Sequence, residues 1–458
     1  MTMPVKVTKR LRPDIWFDRH RYRWRELRLL VFVALFLLLG FFQLQVAAAV
    51  QTGKALPTNA LPPLDAFIPA FGLIAALVVA HLALNILAPD TDQTLLPIAG
   101  ALSSVGVVMA TRLGPDLGRD DLGARQLVFV IVGLGACILT VWATRDLRWL
   151  RNYKYTWLAV GLVLVGVTLL KPSNFNTDSP SRDVLSIGSG GLAFQPSELL
   201  KICLVVFFAG YLSENREMLA QAFYRFGPLK LPPLKHLGPL IVMLGVALVL
   251  VVRLRELGLA LLIFGLFLSM LYVASNRPLY VVGSLAAFAA GAFLALRIFS
   301  YARTRLDIVS SAFNPGVAND AGFQLVQGLI AFASGGIFGS GLGLGKPWIV
   351  PESATDFIAS SIGEEFGFMG VLALIGLFML LVYRGLHVAV NARDSFNQLL
   401  AVGLTAVFAL QTMVILAGNL KVLPLTGVPL PFVAYGGSSL IANFVIIGLL
   451  LRLSQRNA

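Results

Sequence analysis

Three short stretches carry residue types from which chemistry could be built. The first is Phe194-Gln195-Pro196-Ser197-Glu198-Leu199-Leu200-Lys201. Pro196 suits a first helical turn, and Glu198 falls close to the positive end of that helix. Glu198 and Lys201 stand at i,i+3, so both project to one side and can pair. Ionisable groups inside an apolar helix are costly and usually face a bundle interior or a water-filled cavity. Glu198 and Lys201 therefore read either as a structural ion pair that orients the helix or as the lining of a polar cavity that meets substrate.

The second stretch is glycine-rich, Gly335-Gly336-Ile337-Phe338-Gly339-Ser340-Gly341-Leu342-Gly343-Leu344-Gly345, and leads to Pro351-Glu352-Ser353-Ala354-Thr355-Asp356-Phe357. Glycines permit close backbone approach to a phosphate, but no P-loop lysine-serine pair follows and no strand precedes. Ser353-x-x-Asp356 is a helix-start pattern just ahead of apolar residues, which fixes the Asp356 carboxylate near a membrane surface; a plain capping role is the alternative. Ser361-x-x-Glu364 reads as a capping box, which gives Glu364 a structural role. The third stretch is Pro424-Leu425-Thr426-Gly427-Val428-Pro429-Leu430-Pro431-Phe432 followed by Tyr435-Gly436-Gly437-Ser438-Ser439. A regular helix does not survive so many prolines, and irregular backbone at membrane depth must be buried in protein or line a cavity. The small residues from Gly436 to Ser439 could equally serve close helix packing.

The elements that must position these groups follow from composition. Of 458 residues 57% are hydrophobic and 13% charged, with a mean hydropathy of +0.81. A soluble domain carries roughly 25% charged residues, and a disordered chain lacks aliphatics. Apolar runs at 29–50, 66–88, 94–111, 126–143, 155–170, 198–213, 238–252, 257–275, 279–298, 366–383, 399–417 and 432–451 are long enough, or nearly so, to cross a hydrocarbon core of about 30 Å. The expected fold is all-α, a polytopic membrane helix bundle of about twelve spans. Residues 1–28 form a basic N-terminal segment, 29–451 one membrane domain and 452–458 a short tail. Arginines and lysines gather between spans on one side, so the positive-inside rule puts both termini in the cytoplasm. Connections 51–65, 112–125, 171–197 and 299–365 then face outward. A loop as long as 299–365 is unusual in a bundle and usually carries a site.

The net charge of +13 is topological. Its densest group, from Lys6 to Arg28, immediately precedes the first span and reads as an anchor, so no nucleic-acid partner is expected. That first run is too long, and its basic prelude too extended, for a signal peptide. Cys137 and Cys203 both fall inside apolar runs, where a thiol behaves as a small hydrophobe. His20, His81, His236 and His387 are scattered, without metal-ligand spacing, so no protein-held transition metal is expected.

Taken together and in this order, FQPSE–K at 194–201, PE-x-x-TDF at 351–357 with EE-x-G at 364–367, and PLTGVPLPF with YGGSS at 424–439 resemble the SEDS family (shape, elongation, division and sporulation) of polytopic cell-wall polymerases. The match spans roughly residues 170–455 and looks closer to the RodA, elongation-type branch than to the FtsW division branch. The resemblance implies a SEDS fold of ten core spans plus two additional N-terminal ones. It also implies a peptidoglycan glycosyltransferase that polymerises lipid II on the outer face of the bacterial cytoplasmic membrane, with Asp356 as the essential carboxylate. By the same resemblance Glu198, Lys201 and Ser438 lie in the substrate cavity, and a class B penicillin-binding protein is the partner beside lipid II, the growing glycan strand and membrane lipids. A carboxylate in reach of a sugar 4-hydroxyl can act as general base, on the face opposite a departing diphosphate. Arg112, Arg182, Lys201 and Arg303 are candidates to stabilise that diphosphate. No tightly bound cofactor is implied, although the diphosphate could bring a divalent cation such as Mg or Mn. The chain departs from the family pattern at Glu256, where an Asp is usual, and at Arg182-Asp183, where Arg-Trp is usual; Glu256 is accordingly given no catalytic role. A lipid II flippase is the alternative function, because an intramembrane Glu-Lys pair also suits a transporter, and a wall-enzyme scaffold is a third. The long outer loop with its positioned carboxylate favours chemistry.

Overall fold

Hydrocarbon leaves backbone amides no partner but their own chain, and a span therefore becomes a helix. In the computed structural model, which describes residues 23–51, 64–170, 185–187, 192–220, 224–226, 229–231 and 234–455, each of the twelve apolar runs is one. The helices are α1 (Trp24–Gln51), α2 (Ile68–Leu87), α3 (Leu95–Leu113), α4 (Leu122–Ala143), the short α5 (Arg148–Asn152), α6 (Lys154–Leu170), α7 (Pro196–Glu214), the short α8 (Arg216–Ala220), α9 (Leu234–Arg253), α10 (Leu257–Ser275) and α11 (Pro278–Ile298). Then follow α12 (Ser300–Ser311), α13 (Pro315–Ala318), α14 (Phe323–Gly335), α15 (Ile358–Val390), α16 (Ser395–Asn419) and α17 (Gly437–Ser454). Ten of the described helical segments are long and apolar enough to cross a membrane, with α6 and α9 carrying shorter apolar stretches. Two small antiparallel hairpins, Leu185–Ile187 with Leu192–Phe194 and Tyr224–Phe226 with Leu229–Leu231, and the 3-10 turns Leu64–Phe67, Pro115–Leu117 and Pro347–Ile349 complete the described elements.

The most enclosed helix is α7, buried on nearly every side by α6, α10, α16 and α17. Pro196 occupies its first turn, as its fixed φ favours, and Glu198 sits in that turn. By contrast α11 is exposed along most of its length. The N-terminal pair packs on the core through α1 against α3 and α2 against α4. The helix α1 begins at Trp24, inside the stretch read as a basic tail, because Arg23 and Glu26 are buried together against His81 of α2 rather than solvated.

The region 299–365 is not one loop. It holds α12, α13, α14 and the first turns of α15, of which α14 and α15 bury apolar side chains while α12 and α13 stay largely exposed. The span expected from 366 already begins at Ile358. Thirty-three helical residues at about 1.5 Å each would reach some 50 Å, well beyond the hydrocarbon thickness. The helix breaks at Gly367 (φ 68°, ψ −169°). A side chain there would strike Gly339 N at 2.3 Å and the Ile337 carbonyl oxygen at 2.5 Å, so only glycine lets chain 336–339 lie against the break. Backbone bonds from Phe368 N to Gly336 O (2.9 Å) and from Met369 N to Ile337 O (3.1 Å) satisfy the amides that the break frees.

Candidate functional site

Asp356 lies just ahead of α15, in a run of turns held from four directions. Asn419 Nδ2 at the end of α16 donates to the Asp356 carbonyl at 3.0 Å. Tyr435 N donates to Ala354 O at 2.9 Å, Ser361 Oγ to Ser353 O at 3.0 Å, and Gln324 Nε2 of α14 to Pro351 O at 3.1 Å. Phe357 is fully buried with Ala331, Val350 and Leu425, which fixes the residue next to the carboxylate.

The helix-start readings need correction. No side chain caps α15: its N-cap is Phe357, and Asp356 bonds no helix amide. Ser361 and Glu364 lie inside the helix, so they form no capping box. The Ser361 hydroxyl reaches back to Ser353 instead, and the Glu364 carboxylate accepts from Lys346 N at 2.7 Å. The Asp356 carboxyl, half-buried and without a hydrogen-bond partner among the described residues, is left for other work. Burial pushes its pKa up to about 6, helped by the neighbouring Glu352 carboxylate and opposed by the Arg305 guanidinium.

Arg305 escaped the sequence reading, which singled out Arg303. Both lie on α12, but Arg303 is exposed and donates to Leu296 O at 3.2 Å, whereas Arg305 turns toward the site and donates to Leu425 O at 2.8 Å. No signal in the sequence separates the two. Arg112 ends α3 with its donors taken up by the Glu365 carboxylate (2.9 Å), Asp116 and Gly345 O (3.1 Å), and its guanidinium lies 5.3 Å from the centre of the Trp348 ring. Arg182 lies outside the described residues, as does Asp183.

Glu198 and Lys201 do pair, Nζ to Oε2 at 2.8 Å, and both are buried. Lys201 also donates to Gln411 Oε1 of α16 at 3.0 Å, and Gln411 Nε2 donates to Pro429 O at 2.7 Å. Ser438, in the first turn of α17, accepts from Gln195 N at 3.1 Å. None of these bonds joins the pair to Asp356; both groups instead bear on the proline-rich segment before α17. Glu256, buried ahead of α10, lies beside the same segment, its carboxylate 3.8 Å from where a side chain on Gly427 would begin. An apolar groove of about 1550 Å³ runs between α9, α10 and α11 and ends on α12 and Leu423–Thr426, where Arg305 bonds Leu425 O. Among the described residues no cluster of three or more His, Cys, Asp or Glu side chains could hold a metal ion.

Comparison with known proteins places these features in a family. The family of FtsW, RodA and SpoVE, described as cell cycle proteins, matches residues 92–458. A peptidoglycan glycosyltransferase RodA of Mycobacterium tuberculosis is 37% identical over 384 residues, 82% of this chain and 80% of the relative. The corresponding protein of Mycobacterium leprae is 35% identical over 428 residues, covering 92% and 89%. A probable peptidoglycan glycosyltransferase FtsW of Geobacter metallireducens is 32% identical, covering 80% and 95%. Among solved structures, a chain of a peptidoglycan synthase complex that coordinates polymerisation and crosslinking aligns with a TM-score of 0.62 at 25% identity, over 80% of this chain and 98% of that one. The rod shape determining protein RodA of Thermus thermophilus aligns with a TM-score of 0.57 at 24% identity, over 81% and 98%, and shares the fold.

Proposed function

The chain belongs to the FtsW, RodA and SpoVE family, and from that premise we propose that it polymerises lipid II into glycan strands with Asp356 as the general base. As a peptidoglycan glycosyltransferase of RodA type it serves elongation and cell shape. The observation that carries the assignment of Asp356 is a carboxylate with a pKa raised to about 6, next to Phe357, which packs on Leu425 at the rim of a large apolar groove. A base whose pKa lies near the working pH combines the deprotonated form with useful basicity.

The acceptor sugar 4-hydroxyl gives its proton to Asp356 as its oxygen attacks the anomeric carbon of the donor. The bond from that carbon to the diphosphate breaks, and the polyprenyl diphosphate leaves with the electron pair. Attack from the face opposite the leaving group inverts the anomeric centre. Arg305 is the cation nearest in role to the developing diphosphate charge; Arg303 on the same helix is a further candidate, as is Arg182 by the family resemblance alone. Arg112 holds the glycine-rich loop that leads to the site. Glu198, Lys201 and Ser438 shape the polar floor. The α9–α11 groove suits an apolar polyprenyl chain, whose entry from lipid it would guide to Leu423–Thr426. A divalent cation, where one takes part, arrives with the diphosphate.

The multi-pass chain sits in the bacterial cytoplasmic membrane with both termini inside and Asp356 at the outer face; the basic residues before α1 and between spans support that orientation. A class B penicillin-binding protein is its partner, and the apolar outward side of a late span such as α15, with Phe368, Leu372 and Met379 exposed, offers a docking face for a single-span helix.

The test is polymerisation by the purified protein with its transpeptidase partner and lipid II, wild type against Asp356→Ala. Glycan strands should form only with wild type. Undiminished polymer from the variant would overturn the role of Asp356, and lipid II movement between leaflets without polymer would establish the flippase instead.

A further inference from the structure

Of the two helices that precede residue 92, where the family match begins, the first, α1, reaches the loop that feeds the candidate site. At the last residue of α1, Gln51 Nε2 donates to Gly343 O at 2.7 Å. Gly343 has a φ of +84°, and a methyl group built on it would come 2.7 Å from Ala47 Cβ and 3.6 Å from Leu44 Cδ2, both of α1. Backbone and helix are therefore in direct contact, with no room for a side chain between them.

The other side of this loop is tied down as well. Arg112 bonds Gly345 O and Glu365, Lys346 N bonds Glu364, and Ser340 N bonds Glu364 O at 2.9 Å. From Lys346 a single 3-10 turn, Pro347–Ile349, leads to the turns that carry Asp356. At its far end α1 is fixed too. Arg23, fully buried, bonds Glu26, Ala88 O (2.9 Å) and Asp92 O (3.0 Å), while Glu26 meets His81 Nδ1 at 2.7 Å. Asp92 in turn pairs with Arg384 of α15, and its backbone N–H donates to Ser454 Oγ of α17 at 2.9 Å. A helix of 28 residues, about 42 Å long, is thus pinned at both ends of the bundle.

We infer that α1 is a positioning element for the polymerase reaction, with Ala47 and Gln51 as positioning residues that hold the Gly343 loop, and through it the Asp356 turn, in working register. The inference rests on the assignment of Asp356 as the base. Displacing that turn by about 1 Å would cost catalysis far more than binding.

The experiment uses the full chain with its partner and reads kcat, KM for lipid II and thermal stability for Gly343→Ala, Ala47→Gly, the double variant and Gln51→Leu. Gly343→Ala should lower kcat about tenfold or more with KM within about twofold of wild type. Adding Ala47→Gly removes the methyl it strikes and should restore kcat by about threefold or more, a coupling that strain at a positive φ alone would not produce. Gln51→Leu, at an exposed helix end, should lower kcat severalfold without a loss of folded protein. An unchanged kcat in Gln51→Leu, or additive effects of Gly343→Ala and Ala47→Gly, would overturn the inference, and Gln51→Leu decides it if Gly343→Ala fails to fold. Asp356→Ala in the same assay separates the two readings: full activity there refutes the base, whereas coupling between positions 47 and 343 speaks only to the clamp.

Discussion

The pH dependence of polymerisation reports directly on the environment of Asp356. A general base acts deprotonated, so the rate should be present above its pKa and lost as pH falls through it. With a pKa of about 6, some nine-tenths of the carboxyl is ionised at pH 7 and about a tenth at pH 5. A carboxyl at the ordinary value of 3.8 would still be about nine-tenths ionised at pH 5. The profile of kcat/KM for lipid II between about pH 5 and 8.5 should therefore fall roughly tenfold at its acid end. Two neighbours move that limb in opposite directions. Glu352→Gln removes the carboxylate that raises the pKa and should shift the limb toward acid; Arg305→Gln removes the opposing guanidinium and should shift it toward alkali. The shift of Glu352→Gln should be the larger, and neither should restore the ordinary value, because burial is the main cause. An acid limb near pH 4, or shifts of the same sign in both variants, would refute the reasoning.

The same raised pKa predicts a stability gain on removing the charge. The folded state holds a proton that the unfolded chain has already lost between about pH 4 and 6, so stability falls as pH rises through that window and stays low above it. Asp356→Asn should then be inactive yet more resistant to thermal unfolding at neutral pH by on the order of 1–2 kcal/mol, discounted for the partial exposure of the carboxyl; equal or lower stability would count against burial as the cause. Lys201→Met leaves Glu198 buried without its cation and should cost about 3–5 kcal/mol, read as lost folded protein in detergent. The double variant Glu198→Gln, Lys201→Met should recover much of that loss, and a double variant as unstable as the single one would show that packing, not charge, is at stake.

Residues close in sequence told most about their own geometry. The i,i+3 spacing of Glu198 and Lys201, with Pro196 at the helix start, fixes a pair on one face of α7, and the 2.8 Å contact is the direct outcome. What the spacing omits is Gln411, 210 residues away, which completes the coordination of Lys201. Arg303 and Arg305 stand two positions apart on α12, about 200° around the helix axis, and only the neighbours of α12 decide which faces Asp356. Ser361-x-x-Glu364 mimics a capping box because the true start of α15, three residues earlier, is set by burial of Phe357 in the cluster with Val350 and Leu425 rather than by any capping side chain. The break at Gly367 is likewise imposed from outside the helix, by the approach of chain 336–339.

The proline-rich segment between α16 and α17 explains why so many buried polar side chains surround the site. Its backbone is irregular, with positive φ at Lys421, Gly427 and Phe432, and its carbonyls cannot be satisfied by a helix of their own. The neighbouring elements supply the donors: Arg305 to Leu425 O, Gln411 to Pro429 O, and Gln126 of α4 to Ala434 O at 3.3 Å. Phe432 anchors the segment between Phe408 and Phe444, with ring centres 5.5 and 5.2 Å away, and α3 comes so close that a side chain on Gly106 would meet Phe432 O at 2.7 Å. Each donor thus stands where irregular backbone would otherwise be unpaired at membrane depth. Gln411 and Arg305 also answer to charges, the first to Lys201 and the second to Asp356. The buried pair of α7 and the carboxylate ahead of α15, without touching, are therefore held by one piece of chain. Any substrate group seated on that chain would meet Lys201 through Gln411 on one side and Asp356 through Arg305 on the other.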